Sequence, residues 1–150
     1  MPMTEQELLE ALDNEEPRYP ELAAKLGPSD IPKLRAIAEG EDVARATKAV
    51  YLASLVKAGD ANEIVVKAAR SSRELVRIAS ASALENLPTE PRNRAAAHLI
   101  EEANPAISKL VLKAVDARSP ALGPKIRALQ DRTPHPEIRD LAQSKLDEIR

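Results

Sequence analysis

Cysteine, phenylalanine and tryptophan are absent from this 150-residue chain, and glycine occurs only four times. Without cysteine there is no disulfide framework, thiolate metal site or thiol nucleophile, and a reducing compartment suits the chain. With tyrosine only at Tyr19 and Tyr51 as aromatic mass, the core has to be built from small and branched aliphatic side chains. Abundant alanine favours helices, and runs that would make strands are missing. No segment approaches the ~20 apolar residues of a membrane span. The first ten residues, MPMTEQELLE, are acidic where a signal peptide would be basic and then apolar. A soluble, cytoplasmic, single all-α domain without membrane contact is expected, long enough to fold without staples.

The net charge of −2 hides an asymmetry. Residues 1–30 hold eight acids against Arg18 and Lys25, a local −6, so the other 120 residues carry +4. An acidic end on a mildly basic body is a cue for electrostatic steering or self-association.

What is present is a repeat. Four segments align: Ala44-Arg45 with Leu52 and Leu55, Val76-Arg77 with Leu84 and Leu87, Ile107-Ser108 with Val115, and Ile138-Arg139 with Leu146 and Ile149. The offsets between their opening residues are 32, 31 and 31. A period in this range marks units that bury their apolar faces only against neighbours.

Punctuation divides the chain further. Thr4 with Glu7 forms a capping box for a first helix over 5–13. Pro20, Pro91, Pro105, Pro120 and Pro136 sit near helix starts, with Thr89, Asn104 and Ser119 as caps. Gly27, Gly40 and Gly59 fall at helix ends, and Gly123-Pro124 restarts the last copy. The pattern predicts antiparallel pairs 5–13 with 20–26, 30–39 with 41–57, 62–70 with 73–87, 90–102 with 105–117, and 124–130 with 136–149. Units are expected over 1–27 (a truncated, capping pair), 28–58, 59–88, 89–118 and 119–150. Val76, Ala79, Ser80, Ala83, Leu84 and Leu87 recur at three and four and should face inward. Opposite them stand Ile31, Leu34 and Ile37; Ile64, Val65 and Ala68; Ala96, Leu99 and Ile100; and Ile126 and Leu129.

The segments HPEIRDLAQSKLDEI (His135 to Ile149) and RELVRIASASALENL (Arg73 to Leu87) resemble the second helix of short bacterial HEAT repeats. That resemblance implies a right-handed, armadillo-like α-solenoid of about five helix pairs, and it is nearly silent on activity. It also implies an inter-repeat ladder between an acid and the arginine that follows the apolar step. The acid slots hold Glu39, Ser71, Glu102 and Thr133, and the arginine slots Arg45, Arg77, Ser108 and Arg139. Only the copy with Glu39 and Arg45 keeps both partners within itself.

Motifs for chemistry are few. His98 and His135 are the only histidines, with no HExxH spacing, glycine-rich phosphate loop or nucleophile elbow. The doublets Glu15-Glu16 and Glu101-Glu102 are neighbours that do not face each other on a helix. Neither an enzyme, a metal site nor a cofactor is expected. The leading expectation is a protein–protein interaction scaffold that takes a partner helix or peptide on the second helices. The predicted ridge comprises Ala46, Val50 and Ala53; Ile78, Ser82 and Glu85; Lys109, Lys113 and Asp116; and Asp140, Ser144 and Asp147. An alternative is DNA binding through Lys67, Arg70, Arg73, Arg77, Arg92 and Arg94. The pI near 5.8 and the lack of aromatics after Tyr51 weigh against nucleic acid. A third class is an accessory enzyme subunit like the bilin-attachment (bilin lyase-like) proteins that carry similar repeats. Partner identity and oligomeric state are open.

Overall fold

The computed structural model describes residues 3–149; Met1, Pro2 and Arg150, at the outer ends of the first and last expected units, lie outside the described residues. The described chain is all-α. Its helices are α1 (Glu5–Asp13), α2 (Tyr19–Lys25), α3 (Ile31–Ala38), α4 (Val43–Leu55), α5 (Gly59–Ala68), α6 (Glu74–Ala83), α7 (Thr89–Leu99), α8 (Pro105–Ala114), α9 (Gly123–Arg132) and α10 (Pro136–Ile149). Three 3-10 turns lie at Pro28–Asp30, Leu84–Asn86 and Pro120–Leu122, and the described residues contain no strand.

Local chemistry accounts for most of the ends. Thr4 and Glu7 make the expected reciprocal cap on α1, and Asn104 Oδ1 accepts from the Ala106 N–H at the start of α8. A Cβ on Gly40 would stand 3.2 Å from the Ala36 carbonyl oxygen, so glycine suits the tight exit of α3. Between α2 and α3, the fully buried Asp30 carboxylate accepts from the Gly27 N–H at 2.8 Å. Several expectations fail. Gly59 opens α5 instead of ending α4, with Asp60 complementing the helix dipole in the first turn. Buried Asn62 closes that turn by donating to the Val56 carbonyl at 3.2 Å. Thr89 is the first residue of α7 and caps nothing, and Ser119 donates to Asn93 Oδ1 at 2.7 Å instead. The segment after Ala83 tightens into a 3-10 turn ahead of Pro88, so α6 is shorter than its apolar pattern.

Helices pack two apart as well as in sequence. Among the first helices, α3 packs on α5 and α5 on α7; among the second, α4 packs on α6, α6 on α8 and α8 on α10. Within pairs, α3 meets α4, α5 meets α6, α7 meets α8 and α9 meets α10. All of the apolar residues expected on the first helices are buried, and Val76, Ser80, Ala83, Leu84 and Leu87 are buried opposite them, whereas Ala79, also expected inward, is half-buried beside Ile78. Each such Leu or Ile contributes about 1.5–3 kcal/mol of burial. At the N-terminal end, α1 and α2 both pack on α4, and Tyr19 meets Tyr51 edge-to-face with centroids 4.9 Å apart.

One consequence corrects the predicted ridge. α4 is enclosed by α1, α2, α3, α5 and α6. Its small residues Ala46, Ala49, Val50 and Ala53 are each 0% exposed. Ala46, Val50 and Ala53 are therefore core, because small side chains let the α4 axis be approached closely from more than one side.

Two outcomes are expected in chemical denaturation. Leu84→Ala should cost about 2–5 kcal/mol, and Leu146→Ala less, because Leu146 is 6% exposed against 0% and α10 packs chiefly on α8 and α9. Equal losses would contradict the stacking order.

Candidate interaction surfaces

Six basic residues were grouped as a nucleic-acid patch, and the fold disperses them. Arg94 makes a bidentate pair with Glu63, both contacts at 2.8 Å, and a further one to Glu90. Lys67 pairs with Glu39. Arg77 Nε meets Glu102 at 2.8 Å while its Nη1 donates to the Ser71 carbonyl. Arg92 donates to the Leu87 and Ala114 carbonyls and to Asp116, although its buried Nε has no partner. Arg73 donates to the Gly40 carbonyl at 2.7 Å and to that of Ala38. Among the described residues, only the Arg70 guanidinium of the six cationic groups has no hydrogen bond or ion pair. Five of the six guanidinium and ammonium groups are thus occupied within the fold.

Two structural roles recur. The first is termination: Lys48 reaches the Leu12 carbonyl at the end of α1, Arg73 the end of α3, Arg132 the Ile100 carbonyl after α7, and Arg92 the end of α8. A helix leaves its last carbonyls unpaired and carries partial negative charge there, so a cation from another element satisfies both. The second role is pairing across the stack: Arg45 with Asp13, Lys67 with Glu39, Arg94 with Glu63, Arg77 with Glu102, Lys125 with Glu101, and Lys109 with Glu137. Of the expected ladder slots, Arg77 and Glu102 do pair, from adjacent copies, while Glu39 is taken by Lys67. Arg45 meets Asp13 rather than Glu39. Arg77 and Arg139 each also donate to the carbonyl six residues back, at Ser71 and Thr133.

These contacts hold several carboxyls below their ordinary range. Arg45 does so for Asp13, Arg94 for Glu63 and Lys125 for Glu101. Asp116 is lowered to about 2, first by hydrogen bonds from Arg118 and then by the charges of Arg118 and Arg92.

The remaining ridge positions divide. Ser82, Glu85 and Lys113 are exposed, as are Asp140, Ser144 and Asp147, whereas Ile78, Lys109 and Asp116 are half-buried. Sequence reading missed Leu75, the one large apolar side chain among the described residues that lies exposed, at 59%. It sits one turn before Ile78 on α6. Beside Ile78, half-buried Ala79, Leu110 and Leu141 recur at 31-residue steps on α6, α8 and α10. The 31-residue period itself could have revealed this row.

Open grooves lie at the helix ends. One, of about 970 Å³, runs between the C-terminal ends of α3 and α5; another, of about 990 Å³, between the ends of α4 and α6. Among the described residues, no three His, Asp or Glu side chains converge to hold a metal, and no helix is long and apolar enough to cross a membrane. Comparison with family models and with curated proteins returns no match.

Arg92→Ala should destabilise the fold by about 1–3 kcal/mol, since it strips partners from buried carbonyls, while Arg70→Ala should stay within about 0.5 kcal/mol; urea melts of both variants check this. Acid should also weaken the fold. Carboxyls lowered in the folded state leave the unfolded chain to take up protons first. Their stabilisation is complete above the ordinary carboxylate pKa of about 4 and is lost as pH falls toward about 2, the value at Asp116. Thermal melts across pH 7 to 2 should show a falling midpoint only in the acid range, and a flat profile would refute it.

Proposed function

We propose that the chain is a HEAT-like α-solenoid acting as a non-catalytic protein-interaction module in the cytoplasm, with the outer face of α6, α8 and α10 as its binding surface. The repeated packing of alternate helices supports the solenoid reading, since each pair closes its apolar face on the next. The observation that carries the functional reading is Leu75: an exposed leucine beside half-buried Ile78 and the row Ala79, Leu110, Leu141. Apolar surface at one end of a helix face, flanked by Lys109 and Lys113 on α8, suits a partner helix or extended peptide with an apolar anchor. The α4 portion of the earlier ridge drops out, and the binding surface moves toward the C-terminal repeats. Nucleic-acid binding loses support, because most of the charges it would use already neutralise acids or helix ends.

The test compares Leu75→Asp with Val50→Asp. Leu75→Asp should leave helicity and melting within about 0.5 kcal/mol of the parent and abolish co-purification of partners. Val50→Asp buries an unpaired carboxylate and should unfold the chain. Partners retained by a folded Leu75→Asp protein would refute this surface.

A further inference from the structure

The groove at the ends of α3 and α5 differs from the second-helix face in its charge. Its floor is apolar, from Ile64, Ala68 and Val76, all buried. Of its acids, Glu63 is held bidentately by Arg94 and Glu39 is paired with Lys67. Arg35 and Arg70 line the same groove and are exposed, and their guanidinium groups make no hydrogen bond or ion pair among the described residues, although the charge of Arg70 is near enough to help hold Glu63 ionised. Arg73 adds a third positive charge at the rim while its Nη1 clamps the Gly40 carbonyl. Glu41 is the one lining acid left without an ion pair among the described residues. Two guanidinium groups without a direct internal contact, against one unpaired acid, therefore border the apolar floor of an open cleft of about 970 Å³.

We infer that this groove docks an extended peptide in which an apolar residue is flanked by acidic ones. The apolar side chain would sit in the cleft above Ile64 and Ala68, against the small apolar edge they leave open, and the flanking carboxylates would meet Arg35 and Arg70. The two arginines are carried on separate elements, α3 and the turn after α5, with apolar residues of the groove floor lining the same cleft, which favours a peptide with both acidic and apolar side chains over a lone anion. The inference goes beyond the second-helix reading, because Arg35 and Arg70 lie outside α6, α8 and α10.

A random peptide library selected on the immobilised full chain tests it. Enriched peptides should carry Asp or Glu beside Leu, Ile or Val. Synthetic copies should bind the Arg35→Glu, Arg70→Glu double variant at least about tenfold more weakly, with binding that declines as salt rises. Melting of the double variant should match the parent, since both side chains are exposed. Leu75→Asp should keep peptide binding, so that failure of the groove and failure of the second-helix face are told apart. No enrichment, enrichment without acids, or equal binding to the double variant would overturn the inference. So would self-association, seen by sedimentation and abolished by the same charge reversal, which would make the acidic N-terminal unit of a second copy the occupant.

Discussion

Close approach between short helices is the constraint on which this structure depends. With no Phe or Trp and tyrosine only at Tyr19 and Tyr51 near the N-terminal end, few side chains can fill a wide gap, so the later helices have to meet through small and aliphatic residues. Helices of 7 to 14 residues are marginal alone in water. Each is stabilised by what stacks on it, and the seam between successive pairs matters more than any one helix. α4 shows the limit: five helices pack on it, and its Ala46–Ala49–Val50–Ala53 stripe is fully enclosed.

The same enclosure explains what the sequence could and could not reveal. The 31-residue period, the helix order and the inward stripe of α6 were legible because periodicity reports directly on which positions turn inward. Val50 and Ala53 were misread because in α4 the equivalent positions of later repeats are no guide. α4 carries the extra N-terminal helices α1 and α2, so a position that is open on α6 or α8 is covered on α4. Repeat logic transfers burial between units only where their neighbours are alike. The boundary errors are local: Gly59 reads as a stop signal, yet an acid in the first turn makes it an acceptable start.

Charge was the least legible feature. Grouping Lys67, Arg70, Arg73, Arg77, Arg92 and Arg94 by sequence made a patch; their partners, Glu39, Gly40, Glu102, Asp116 and Glu63, lie 24 to 33 residues away. A sequence window sees the cations and misses the carboxylates and carbonyls the fold brings to them. Lys67–Glu39 and Arg94–Glu63 are exposed and individually weak, whereas the contacts of Arg73, Arg77 and Arg92 are part-buried. Their regular placement at helix ends and across the stack fixes register more than it adds stability, since a one-turn slip would separate several of them together.

Function then has to be sought in what the stacking leaves over. Packing accounts for the alanine stripes, and the ladder accounts for most of the arginines and lysines. Two features escape both: an exposed leucine on a helix whose inner face is already satisfied, and two exposed arginines over an apolar cleft whose nearby acids are taken. Leu75 leaves more than half of its surface in water, and the guanidinium groups of Arg35 and Arg70 make no direct contact of their own among the described residues at a seam where neighbouring cations are paired. Both features stand outside what packing and ion pairing explain, and the proposed association surfaces rest on them for that reason.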